Sequence, residues 1–167
     1  DTLLLKSERM TEISPDSSLR LAFKAAELSE LKKSSLYLAK SYLAIGKAYD
    51  KIDDLDNEII YFKKASETFE TISDSTLMAS SIINLADAFF SKGNYDESYF
   101  YFRKAKSLGE KMKNNNLLFH IYSGLGNIFI FDEKRNLDTA VFYYNKANVI
   151  AHKEKDRLKM AESYRHL

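Results

Sequence analysis

The sequence predicts an all-α protein: a solenoid built from antiparallel helix pairs. Three observations carry that prediction. A set of large, small and aromatic residues recurs about every 40 positions, as at Gly46, Ala86 and Gly126. Its members fall at helical intervals, and strand-type alternation is nowhere sustained. The 167 residues include only one proline and five glycines, which favours helices with short turns over a sheet-rich domain. Repeats of this length mark solenoids, in which each unit buries its apolar face against its neighbours.

The elements follow in order. "TLLLKSERM" reads as a first helix, with Leu3, Ser7 and Met10 in large, small and large places. Lys6 falls where leucine is expected, so this copy is degraded or capping. "SPDSSLRLAFKAAEL" reads as its partner, with Leu19, Phe23 and Ala26 aligned to Glu58, Phe62 and Ala65. Pro15 sits in the first turn, where its missing N–H is harmless.

Three fuller copies come next. Their first helices place Tyr42, Ile45, Gly46 and Tyr49, then Ile82, Leu85, Ala86 and Phe89, then Tyr122, Leu125, Gly126 and Phe129 on one face. The small residue lets the paired helix approach closely. The second helices answer with Phe62 and Ala65, Phe102 and Ala105, Tyr144 and Ala147. Gly93 with Asn94 turns the chain, and Asp53 holds that place one copy earlier. Asp56 and Glu58, like Asp96 and Glu97, then open the next helix with charges that suit its dipole. Between pairs, the breaks at Ser73-Asp74-Ser75 and Asn114-Asn115-Asn116 offer serine and asparagine as caps. The expected units are 1–31, 36–72, 76–112 and 117–153, with a truncated first helix at 157–167.

At this point the chain resembles the tetratricopeptide repeat family over nearly its whole length. The second copy carries the family pattern as Ile82, Leu85, Ala86, Phe89, Gly93, Tyr95, Ser98, Phe102 and Ala105. Ser98 departs from it mildly, and no copy has the family's tryptophan. The longer period and the opening are similar in style to sensory repeat domains of bacterial histidine-kinase and helix-turn-helix regulators. The resemblance implies a right-handed α–α superhelix and a non-catalytic module that binds a protein or peptide within a larger regulator. It favours an extracytoplasmic position over a cytoplasmic one. The chain begins at Asp1 without methionine and reads as a mature or excised segment.

The resemblance also implies that the first helices line an inner groove. Its lining would be Lys40, Leu43 and Lys47, then Ile83, Asn84, Asp87 and Phe90, then His120, Ser123, Asn127 and Ile130. Polar groups among apolar anchors suit an extended peptide or a helix laid in a groove. A clamp for a terminal carboxylate is disfavoured, because Leu43 and Ile83 stand where such clamps use polar groups.

The run Tyr99-Phe100-Tyr101-Phe102 cannot face one core, because adjacent helical residues diverge by about 100°. Phe102 points inward and the tyrosines pack on neighbouring helices. Phe100, with its counterparts Ile60 and Phe142, is either covered by long helices or forms a convex interface. The second alternative would make the chain an architectural segment that forms a homo-oligomer through this stripe or its open end at Tyr164 and Leu167.

Other functions are disfavoured. Net charge is +1 with no dense Lys/Arg block, so nucleic acid is not an expected partner of this segment. No cysteine is present, which excludes disulfides and thiolate zinc sites. No apolar run is long enough to enter a membrane directly. His120, His152 and His166 lack metal-ligand spacing, and the carboxylates at Asp53, Asp54, Asp56, Asp132 and Glu133 lack a calcium loop's central glycine. "GLG" at Gly124–Gly126 lies within a helix and is no phosphate loop. Gly126 has a packing reason; Gly124 has none legible in sequence. No metal, cofactor or catalytic residue is expected.

Overall fold

A computed structural model describes residues 2–131 and 136–165, with side chains to residue 161. Asp132, Glu133, His166, Leu167 and the side chain of Tyr164 lie outside the described residues. Among the described residues the chain forms α1 (Thr2–Met10), α2 (Pro15–Leu31), α3 (Ser35–Asp50), α4 (Leu55–Thr71), α5 (Ser75–Ser91), α6 (Tyr95–Met112), α7 (Asn115–Phe131), α8 (Leu137–Glu154) and α9 (Arg157–Arg165). Each helix packs on the next, giving an all-α solenoid of stacked antiparallel pairs. In addition α1 touches α3 and α5 touches α7, whereas no two even-numbered helices meet comparably among the described residues. The odd-numbered helices therefore form the inner layer.

Most turns are one repeated device. A left-handed residue stops the helix: Lys33, Asp53, Ser73, Gly93, Lys113 and Lys155 all have φ between +52° and +80°. The next residue's N–H reaches back five positions, as in Asp74 N–H to Phe69 O (3.1 Å) and Asn114 N–H to Gly109 O (3.0 Å). This bond satisfies a carbonyl that the helix end would leave orphaned. The same residue then heads the following helix. Asp74 accepts from Leu77 N–H at 3.0 Å and Asn114 from Leu117 N–H at 3.2 Å. In the first of these breaks an aspartate, not the expected serine, is the cap. Ser73 is spent on the left-handed position.

The buried positions of the even-numbered helices repeat in strict register. Ser18, Ala22, Ala25 and Ser29 correspond to Glu58, Phe62, Ala65 and Phe69. They recur as Ser98, Phe102, Ala105 and Gly109, and as Ala140, Tyr144, Ala147 and Ala151. The expected alignment of the first pair is therefore off by one residue. Ala22, not Phe23, stands in the place of Phe62, and Phe23 is 39% exposed, edge-on to Tyr61 at 5.6 Å. The aromatic misleads because this pair fills its inner position with alanine. It closes instead through serines, Ser7 Oγ donating to Ser18 O at 2.9 Å.

The small positions are tight. A Cβ at Gly46 would lie 2.5 Å from the Phe62 ring, and one at Gly126 would lie 2.5 Å from the Tyr144 ring. Gly124, without a role in the sequence, has one here: the tip of Phe102 sits over it, at 2.2 Å from where a Cβ would be. Phe102 is thus a wedge from the α5–α6 pair into α7 of the next pair. The flanking tyrosines pack sideways, Tyr101 stacked on Phe89 (5.4 Å) and Tyr99 edge-on to Phe129 (5.7 Å).

Candidate functional site: the inner face

The expected lining residues project from α3, α5 and α7. Lys47 and Asp87 are exposed, while Lys40, Leu43, Asn84, Phe90, Asn127 and Ile130 are half-buried. His120 is exposed, with its ring edge-on to Phe119. Ile83 and Ser123 are buried, Ile83 within the main core beside Phe102 and Leu125. Asn127 Oδ1 accepts the Tyr144 hydroxyl at 2.7 Å, which anchors its amide. Phe90 lies edge-on to Phe131 at 5.6 Å.

Three of these residues converge. Lys47, Asn84 and Asp87 line one cleft with Thr11, Glu12, Asp50, Lys51, Glu58 and Phe62, of about 400 Å³. The α1–α2 turn, α3, α4 and α5 all contribute, so the cleft exists only because consecutive pairs stack. Lys51 Nζ lies 3.1 Å from Glu12 and 3.6 Å from Asp50, which ties the turn to α3.

Glu58 is the member that sequence reading missed. It was expected to be a charge at a helix opening. It is only 4% exposed, and its Oε2 has no hydrogen-bond partner. Burial first, then the charges of Asp50, Asp87 and Asp53, push its pKa up to about 7. Asp87 keeps solvent-accessible surface, but protein encloses it on the cleft side. That enclosure first, and Asp50 second, push it up to about 7 as well. Because water reaches Asp87, the buried Glu58 is the firmer holder of a proton. Among the described residues no group of histidines and acids is placed to hold a metal ion.

On the opposite face Ile60, Phe100 and Phe142 are 46%, 62% and 54% exposed. Among the described residues no helix packs over them fully. Phe142, Val149, Leu118 and Tyr122 line a mainly apolar depression there, of about 420 Å³. No described helix is long and apolar enough to cross a membrane.

Comparison with known proteins agrees with this geometry. The tetratricopeptide repeat pattern matches residues 39–69 and 79–110. No curated protein sequence matches the chain. Among solved structures, aspartyl phosphate phosphatase F from Bacillus subtilis superposes with a TM-score of 0.89 at 20% identity, covering 97% of this chain and 42% of that one. A Rap protein complexed with Competence and Sporulation Factor gives 0.84 at 18% identity, covering 96% and 45%. A putative kinesin light chain with nearly identical TPR-like repeats, from Podosopora anserina, gives 0.65 at 9% identity, covering 99% and 91%. The chain thus spans less than half the length of the first two. At these identities the likeness speaks for the fold. Two of the helix pairs carry the repeat pattern in sequence and the full length follows it in space: the chain is a tetratricopeptide-type repeat solenoid.

Proposed function

We propose that this chain is a non-catalytic binding module that seats an extended segment of a partner protein along the inner face of α3, α5 and α7. The observation that carries this reading is the composition of that face. Leu43, Phe90 and Ile130 offer apolar anchors, and Lys40, Lys47, Asn84 and Asp87 offer accessible polar groups between them. Apolar anchors fix a peptide's side chains while the polar groups satisfy its backbone. A Rap protein of the same fold was solved complexed with Competence and Sporulation Factor, which supports a partner-binding use of the architecture.

The test is a displayed random-peptide library selected on the whole chain. Selected peptides are expected to lose at least about tenfold in affinity on Asn84→Ala or Phe90→Ala. They should bind Phe100→Glu as they bind the unaltered protein. Equal affinity for all variants would sink the reading.

A second reading has its own observation, the uncovered Ile60, Phe100 and Phe142. If the chain is an assembly segment, light scattering shows a dimer that Phe100→Glu with Phe142→Glu converts to monomer. A monomer at about a hundred micromolar before any substitution eliminates it.

A further inference from the structure

Glu58 occupies a place where the other pairs seal a small residue. Ser18, Ser98 and Ala140 stand there in the register and are fully buried. Two of them close their helix pair: Ser18 Oγ donates to Ser7 O at 2.9 Å, and Ser98 Oγ to Ala86 O at 2.8 Å. Glu58 makes no such closure. It brings a carboxylate to a nearly water-free position in the lining of the cleft and leaves its buried Oε2 unpartnered. A buried orphan of this kind costs stability unless something supplies its partner.

The surroundings narrow what the partner can be. Glu12 approaches from the α1–α2 turn, Lys47, Asp50 and Lys51 from α3, and Asp87 from α5, with Asp53 close enough to act on Glu58. Acids outnumber bases, and Lys51 is already engaged by Glu12 and Asp50. Phe62 and Asn84 add an apolar surface and an amide. Among the described residues no group of acids and histidines is placed to hold a metal ion, so an organic cation matches the surplus of acids better.

We infer that this cleft is a cation subsite of the inner groove, recognising the guanidinium or ammonium of a basic side chain in the bound segment. An arginine fits the donor demand best, because its planar fork can serve the Glu58 carboxylate and a second carboxylate together. The inference rests on the peptide-binding reading and adds the class of residue read at one place. Binding is coupled to protons. The cation favours ionised Glu58 and Asp87, so their protons leave on binding, and affinity rises as pH climbs through about 7.

The experiment titrates the uniformly ¹³C,¹⁵N-labelled full chain, read at the Glu and Asp carboxyls and at the backbone amides, with acetyl-Leu-Arg-Leu-amide, with its citrulline counterpart, and with spermidine. The arginine peptide is expected to move the Glu58 and Asp87 signals and to lower the Glu58 midpoint by about one pH unit or more. It should bind at least about tenfold tighter than the citrulline peptide near pH 8. Glu58→Ser, which installs the residue of the sister pairs and so keeps the fold, should abolish that preference. Arginine and citrulline peptides binding alike, with shifts near Asn84 and Phe90 but none at Glu58, would overturn the subsite and leave the groove reading standing. An arginine response at Glu58 with no change at Leu43, Phe90 or Ile130 would support the subsite and count against an extended groove. Spermidine reproducing the whole effect, with nothing added by the peptide, would refute a side chain as the source.

Discussion

Gly124→Ala is expected to destabilise the protein by about 1–3 kcal/mol, the usual cost of forcing one extra carbon into a packed core. The new Cβ would meet Phe102 Cζ at 2.2 Å and two further ring carbons at 2.6 and 2.7 Å. Phe102 cannot swing away, since its side chain is fully buried between Ile82, Ala86, Leu125 and their neighbours. Urea unfolding followed by circular dichroism reads the effect as a lower midpoint. The double variant Gly124→Ala with Phe102→Leu should recover part of the loss, because a shorter side chain withdraws from the clash. Gly109→Ala is the contrast. Its nearest obstacle is the end of Leu118 at 3.1 Å, a flexible group, so its change should be much smaller. An unchanged midpoint for Gly124→Ala would refute the wedge.

The second large effect is a gain. Glu58→Gln should stabilise the fold at alkaline pH by up to roughly 3 kcal/mol. The sign follows from proton binding. The folded-state pKa, about 7, lies above the ordinary 4.5. Between those values the folded chain holds a proton that the unfolded chain releases. Stability is therefore intact below about pH 4.5 and lost as pH rises through about 7. Glutamine fills the same volume without a charge and escapes that loss. The variant and the unaltered protein should have equal midpoints in acid and diverge toward pH 8. Asp87 shares the window, with its shift moderated by water, so some pH dependence remains in the variant. Parallel profiles at every pH would remove Glu58 as the buried acid. Such a stability gain at a place where sister pairs carry serine or alanine is what a residue kept for binding produces.

Much of the architecture was legible because it is local. A period of about 40 and a small residue facing an aromatic map directly onto one helical face, so Gly46 and Gly126 could be assigned to close packing from spacing alone. What escaped depended on partners that are distant in sequence. Gly124 is explained by Phe102, which reaches it from the preceding pair and not from its own hairpin. Glu58 looked like a helix-opening charge because it lies near the start of α4. Its burial follows from α3 and α5 closing over it. One signal could have found it: at 40-residue spacing its counterparts are Ser18 and Ser98, and a lone glutamate among small residues is out of place. That signal was masked by aligning the first pair on Phe23, one residue away. That the first helices of the pairs form an inner layer was foreseen, although Ile83 and Ser123 are buried and do not line it. The convergence of Lys47, Asn84 and Asp87 on one acidic cleft was not, because no single helix contains it.

We propose that the inner face of α3, α5 and α7 is where this solenoid meets its partner. The most direct measurement is hydrogen–deuterium exchange of the whole chain with and without a library-selected peptide. Slowed exchange is expected along α3, α5 and α7, strongest around Asn84 to Phe90, with α4, α6 and α8 unchanged on their outer sides. Protection centred instead on the helices that carry Ile60, Phe100 and Phe142, with α5 unaffected, would contradict it.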